Sequence, residues 1–275
     1  MAEAFPIPND KLALFDIDGT IINAGYKITD PAIYSAVQEA QDAGWTLGLS
    51  SDSPYEGMQA WSNKLGMNGP IIAEKGALVD HAGYPVFDEI DALEYKRARD
   101  RLREHFQDIG VSTWEGNPAD ALRDEVQIGQ PDTSVVLLNN QRRCSLSIFV
   151  RKIDSCGNIT IDEDFTNLMS DEARGFYPPF ADDLEEDLNH DHGLLIVARK
   201  GITKRLGTKR LMRELGTGQV AMVGNSIADY VGSDIALHYA VSNATEALKE
   251  KADYIAASPL TSGVVEILQS FSSAA

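Results

Sequence analysis

Leu12-Ala13-Leu14-Phe15-Asp16-Ile17-Asp18-Gly19-Thr20 sets two carboxylates one residue apart at the end of an apolar run. The run reads as a strand buried on both faces, as strands inside parallel sheets are. Both acids then stand at the strand's carboxyl end, where open α/β sheets bind ligands. Gly19-Thr20 supplies a turn that carries the chain away while both side chains aim at one point. Paired acids so placed suit metal-assisted phosphoryl chemistry. A strand followed by an ordinary Asp-Gly turn would read the same way, so the remainder of the chain decides.

Outward from this stretch, Asp30-Pro31 opens a helix whose inner stripe is Ile33, Val37 and Ala40 and which Gly44 ends. Trp45 to Ser50 is a second apolar strand, a helix follows from about Pro54 to Leu65, and Ile71-Ile72-Ala73 is a short strand. This β-α-β-α-β order predicts a parallel sheet. From Leu78 the pattern changes. Val79 to Val86 reads as a hairpin, and Tyr95, Ala98, Leu102 and Phe106 stripe a helix. Ser134–Leu138 and Cys144–Val150 flank a polar turn, and Asp182 to Asp191 reads as an acidic linker or a solvated helix. The alternation resumes with a strand at Leu194–Ala198, a helix from Thr203 to Leu215 and a strand at Gln219–Val223. A strand at Tyr239–Ser242, a helix over Thr245–Lys251, a strand at Tyr254–Ala256 and a last helix near Val264–Gln269 complete it. The expected fold is therefore α/β, a parallel-sheet core at residues 1–79 and 192–275 interrupted by an α+β cap at 80–191.

The chain has 275 residues and a net charge of -18, with 42 acidic residues against 24 Lys and Arg. Nucleic acid and anionic membranes are poor partners for such a surface, and an anionic substrate must meet local positive charge. Cys144 and Cys156 make neither a disulfide framework nor a zinc site, and both read as small buried apolar residues. With no leader pattern and no run of about 18 apolar residues, the expectation is a cytoplasmic protein, a monomer or small homo-oligomer.

Three further strand or helix ends carry chemistry: Ser50-Ser51, Lys204, and Gly224-Asn225-Ser226-Ile227-Ala228-Asp229. Together with the first stretch, and in this order, they resemble the four motifs of the haloacid dehalogenase superfamily of phosphatases. The resemblance covers residues 11–80 and 194–270. It fits the subgroup with a large α/β cap between the second and third motifs, which includes sucrose-phosphate, mannosyl-3-phosphoglycerate and archaeal phosphoglycolate phosphatases. Ile72-Ala73-Glu74-Lys75-Gly76-Ala77 looks like their passage into the cap, with Lys75 where Asn is common.

The resemblance implies that Asp16 attacks phosphorus to give an aspartyl phosphate, and that Asp18 protonates the leaving alkoxide and then activates water. It implies that Ser51 and Lys204 hold phosphoryl oxygens. A solvated lysine is the rival reading of Lys204, with Lys200, Arg205 and Lys209 nearby, and a helix cap the rival for Ser51. Hard oxygen donors without His or thiolate imply Mg²⁺, held by Asp16, Asp229 and the Asp18 carbonyl. Asn225 stands where relatives carry Asp, either as a further oxygen donor or as an amide behind the ligands. It removes one negative charge, which implies weaker metal retention.

Asp52-Ser53 replaces the family's Gly-Arg, and Asp52 reads as an outward helix cap. His190-Asp191-His192 reads as surface for want of a third ligand. Arg142 and Arg143 on the cap turn are candidates for a substrate carboxylate or second phosphate, with a solvated turn as the rival. Trp45 and Trp61 read as core. The expected activity is Mg²⁺-dependent hydrolysis of a small phosphorylated metabolite, a sugar phosphate or a phosphoglycolate-like acid. The alternatives are phosphomannomutase-like transfer and a phospho-ligand binder impaired in turnover.

Overall fold

The computed structural model describes residues 7–122, 127–190 and 193–273. The chain forms two units, Met1–Val86 with Ile202–Ala275, and Phe87–Gly201. In the first unit β1 (Leu12–Phe15), α1 (Ile33–Asp42), β2 (Thr46–Ser50), α2 (Tyr55–Leu65) and β3 (Ile71–Ala73) alternate, then β4 (Leu78–His81) and β5 (Tyr84–Val86) form a hairpin. β1 is buried along its whole length because neighbours flank it and helices cover both faces. Asp30 Oδ1 accepts a hydrogen bond from the Ala32 amide at 3.0 Å just ahead of α1, and Ile33, Ala36, Val37 and Ala40 form its buried stripe.

The second unit runs α3 (Glu89–Asp108), β6 (Ser112–Gly116), α4 (Pro118–Leu122), β7 (Thr133–Asn139), β8 (Ser145–Ile153), β9 (Ile159–Ile161), α5 (Glu163–Arg174), β10 (Leu184–Asn189) and β11 (Leu194–Arg199). Its sheet has the order β10-β11-β8-β7-β6, with β9 also on β8. Tyr95, Ala98, Leu102 and Phe106 of α3 pack with Met169 of α5 over Val136, Ile148 and Val197 of the sheet. An α+β layer results.

The chain then re-enters the first unit through α6 (Lys204–Leu215), β12 (Val220–Gly224), β13 (Ala236–Ala240), α7 (Glu246–Lys249), β14 (Tyr254–Ile255) and α8 (Leu260–Ser273). The sheet order is β14-β13-β12-β1-β2-β3-β4-β5, parallel from β14 to β3 and antiparallel for the hairpin. Leu211 and Met212 of α6 pack against Leu12, Leu14, Ile72 and Met222 on one face. Trp45 at the start of β2 stacks on Phe271 of α8 at 3.9 Å and donates its indole N–H to the Phe271 carbonyl, a core role.

Two expected boundaries are corrected. Residues 80–86 belong to the core sheet, since Asp80 pairs with Ile71 and Val86 with Val79. The strand expected to resume the core, Leu194–Ala198, instead forms β11 (Leu194–Arg199), antiparallel between β8 and β10. A short apolar run carries the same pattern whichever sheet accepts it. From Leu184 to Asn189 the acidic stretch before it is neither linker nor helix. It forms the edge strand β10, whose exposed Glu185, Glu186 and Asp187 charge an otherwise open edge. Cys144 is buried as expected, whereas Cys156 is exposed. His190 is exposed, and Asp191 and His192 lie outside the described residues.

Candidate active site

Register brings the four segments to one end of the core sheet. β1 lies between β2 and β12, with Phe15 opposite Leu49 on one side and Val223 on the other. Asp16, Ser50 and Gly224 therefore follow those pairs side by side at the strands' carboxyl ends. Asp16 is buried, and its amide donates to the Val223 carbonyl at 2.9 Å. Asp18, two residues on, is exposed. The turn between them and the following chain is closed by the Gly19 amide on the Ile22 carbonyl, with Gly19 at φ 78°. One acid thus faces the protein and the other the solvent.

Lys204 opens α6, where Thr203 caps the helix by accepting from the Leu206 amide at 3.2 Å. Its ammonium donates to Asp16 Oδ1 at 2.7 Å and to Asp229 Oδ1 at 2.6 Å, and all three side chains are buried. It is therefore no solvated lysine. Of its neighbours, Lys200 donates to the Asp182 carbonyl and Arg205 grips Asp234 through two 2.8 Å bonds.

Asp229 folds back onto its own loop. Its Oδ2 accepts from the amides of Asn225 and Ser226, both at 2.9 Å, completing a reciprocal cap with Ser226. This fold-back requires Gly224, because a Cβ there would fall 2.2 Å from Asp229 Oδ2. With Oδ1 on Lys204 and Oδ2 on two amides, Asp229 is shaped as the anchor of the lysine.

Burial pushes the Asp16 carboxyl up to about 7; the Lys204 charge opposes this, and Asp229 and Asp18 add to it. Burial alone would lower Lys204, but the charges of Asp16, Asp229 and Asp52 together hold it above its ordinary value. Asp52 acts here through its charge. It does not hold the N-cap position of α2, which is Pro54.

Three side chains of these motifs take a setting that sequence did not give them. Thr20 donates to Asp16 Oδ2 at 3.0 Å, and Ser53 donates to Asp18 Oδ2 at 3.0 Å, so each acid has a hydroxyl that orients it. The third is Ser50. It pairs with Ile72, which packs on the α6 face, and its fully buried hydroxyl makes no hydrogen bond among the described residues. Ser51, the residue expected from sequence, is also buried and accepts from the Ser53 amide at 3.1 Å. Alternation along a strand leaves the face of a residue open in sequence, and only the register with Ile72 puts Ser50 on the α6 side.

The Asn225 carboxamide lies over the Asp16-to-Thr20 turn. In the orientation that satisfies its neighbours, its nitrogen donates to the Asp18 carbonyl at 3.2 Å, Asp16 Oδ2 at 3.3 Å and Thr20 Oγ1 at 3.1 Å. With its Oδ1 turned inward instead, the carboxamide would join the Asp16 carboxylate and the Asp18 carbonyl as three oxygen ligands that fit a hard divalent cation. Among the described residues no three His, Cys, Asp or Glu side chains converge as a ready-made metal cage. Arg142 and Arg143 lie in the second unit. Arg142 is buried and donates to Ser145 Oγ at 2.9 Å, and Arg143 sits over the Phe87 ring.

The profile of the haloacid dehalogenase-like hydrolases matches residues 13–268. The chain belongs to that family. It is 22% identical to a phosphoglycolate phosphatase of Staphylothermus marinus over 263 residues, covering 94% of this chain and 96% of that one. A phosphoglycolate phosphatase of Metallosphaera sedula is 35% identical over 74 residues, 26% of this chain and 33% of the relative. In three dimensions the chain is similar to a haloacid dehalogenase-like hydrolase of Bacteroides thetaiotaomicron, with TM-score 0.68, 17% identity, and coverage of 94% and 98%. It is similar also to the Thermoplasma acidophilum protein 0175, with TM-score 0.62, 16% identity, and coverage of 95% and 97%. These structures share the fold. No helix among the described residues is long and apolar enough to cross a membrane.

Proposed function

We propose that this hydrolase acts on a small phosphomonoester through a covalent phosphoryl-Asp16 intermediate. The observation that carries the reading is the buried Lys204 ammonium, bonded to Asp16 at 2.7 Å and Asp229 at 2.6 Å beside the exposed Asp18. A buried acid aligned by a cation, next to a second acid open to solvent, separates nucleophile from proton carrier.

In the first step an Asp16 carboxylate oxygen attacks phosphorus and the bond to the leaving oxygen breaks. The Asp18 carboxyl gives its proton to the departing alkoxide. Asp18, now ionised, takes a proton from water as that water attacks the same phosphorus. The bond to Asp16 breaks, inorganic phosphate leaves, and both acids return to their starting states. Lys204 balances charge on the phosphoryl oxygens through both steps, and a hydroxyl of the Ser50-Ser51 pair would hold one of those oxygens. Thr20 and Ser53 keep the two acids in their rotamers. Mg²⁺, held by Asp16, the Asp18 carbonyl and Asn225, would supply charge neutralisation between a carboxylate and a phosphate dianion.

The substrate class we favour is a phosphorylated hydroxy acid such as phosphoglycolate, supported by the names of the two phosphatase relatives. Arg142 and Arg143 stay as candidates for binding its carboxylate. The test is phosphate release from a panel of phosphorylated sugars and hydroxy acids with Mg²⁺ in excess. Turnover lost in Asp16→Asn and in chelator supports the reading; no turnover on any member overturns it.

A further inference from the structure

The oxygens best suited to a cation are already bridged by a side chain of the protein. With its nitrogen turned inward, the orientation that satisfies its neighbours, Asn225 donates to the Asp18 carbonyl at 3.2 Å and to Asp16 Oδ2 at 3.3 Å, the same two oxygens that a metal would draw together. It also reaches Thr20 Oγ1 at 3.1 Å, and Thr20 in turn donates to Asp16 Oδ2 at 3.0 Å. The amide is held firmly from behind. The Asn225 amide N–H donates to Asp229 Oδ2 at 2.9 Å and its carbonyl accepts from the Thr245 amide at 2.9 Å. Its side chain packs against Gly19, where a Cβ would fall 2.4 Å away, so the turn and the amide fit each other without space for a methyl group.

We propose that the Asn225 amide is a built-in substitute for the metal: it ties Asp16 and the Asp18 carbonyl together in the metal-free protein and gives way when Mg²⁺ binds. The inference rests on the metal-dependent reading above and adds a regulation to it. A carboxamide serves both states because rotation by half a turn exchanges a donor for an acceptor. With nitrogen inward it pairs the two oxygens, and with Oδ1 inward it becomes a neutral metal ligand. An aspartate at this position could do only the second. It would add a charge beside Asp16, Asp18 and Asp229, leaving the metal-free site repulsive and the metal-bound site tighter. Two consequences follow for this chain. The nucleophile keeps its orientation without metal, and Mg²⁺ must displace hydrogen bonds before it binds, which weakens its hold.

The test compares the full-length wild type with Asn225→Asp, titrating each with Mg²⁺ by calorimetry and melting each in chelator and in saturating Mg²⁺. The expected result is Mg²⁺ binding at least tenfold tighter in Asn225→Asp. That variant should also melt below wild type in chelator and gain more than wild type from Mg²⁺. Equal Mg²⁺ affinity with equal melting in chelator overturns the inference and leaves the phosphatase reading standing. Binding to neither protein, with no phosphate released from the panel, overturns both. Should Asn225→Asp not fold, the side-chain amide resonance of Asn225 in ¹⁵N-labelled wild type decides. A shift of that resonance on Mg²⁺ saturation supports the exchange, and an unmoved resonance overturns it.

Discussion

Lys204 donates to Asp16 across 2.7 Å although 188 residues separate them in the chain. The pair is buried, so its desolvation offsets much of its attraction, and its value lies in position more than in stability. Removing the cation, however, leaves two buried carboxylates facing each other. Lys204→Ala should destabilise the protein by about 3 kcal/mol in urea unfolding. It should also lower kcat/KM by roughly a hundredfold or more in the phosphate-release assay.

The two adjacent serines separate stability from function. Ser50 Oγ makes no hydrogen bond among the described residues, so Ser50→Ala should leave the melting temperature within a degree or two while reducing kcat/KM by about tenfold. Ser51→Ala removes the acceptor of the Ser53 amide, so it should lower stability by about 1 kcal/mol and act on turnover through the loop carrying Ser53. An unchanged kcat/KM in Ser50→Ala would show that the register does not put this hydroxyl on the substrate.

Gly224 is a positional requirement of the lysine anchor. A methyl group there meets Asp229 at 2.2 to 2.4 Å, so Gly224→Ala must displace the carboxylate from the amides of Asn225 and Ser226. A loss of about 1–3 kcal/mol in denaturant unfolding is expected, the range for overpacking a tight contact. Activity should fall with it, since Lys204 loses a fixed partner. Ser226→Ala, which leaves both amide bonds in place, should be milder by both measures.

Acid stability has a marker away from the site. Arg205 bonds both oxygens of Asp234 at 2.8 Å and lowers its carboxyl from 3.8 to about 2. Between those values the unfolded chain binds more protons than the folded one, so this contribution is complete above about pH 4 and disappears as pH falls through 2. The melting temperatures of wild type and Asp234→Asn should therefore differ at pH 5 and converge on acidification to pH 2. Because the pair is exposed, the difference should also shrink in high salt.

Much of the core was legible because its signals are local. The buried run Leu12–Phe15, the Asp30-Pro31 helix start and the Gly-Ile-Thr-Lys setting of Lys204 each declare themselves within a few residues. The second unit was read less well. Its polar turn and the stripe from Tyr95 to Phe106 stand out, but β6, β9 and α5 have short or mixed patterns whose burial comes from partners far along the chain. Arg142 illustrates the difference: its turn reads as either solvated or facing substrate, and within its unit the side chain is buried and bonded to Ser145.

Residue order alone established that the chain carries paired acids at a strand end, a lysine at a helix start and an acid-bearing glycine loop, because side-chain chemistry and periodicity are written locally. Which sheet takes Leu194–Arg199, which face of its sheet Ser50 takes, and which side-chain atoms of Asp16, Asp229 and Asn225 are already engaged were settled only by tertiary structure. The reason is physical. Ladder register and hydrogen-bond partners are long-range choices, made by packing among segments whose own patterns permit more than one answer.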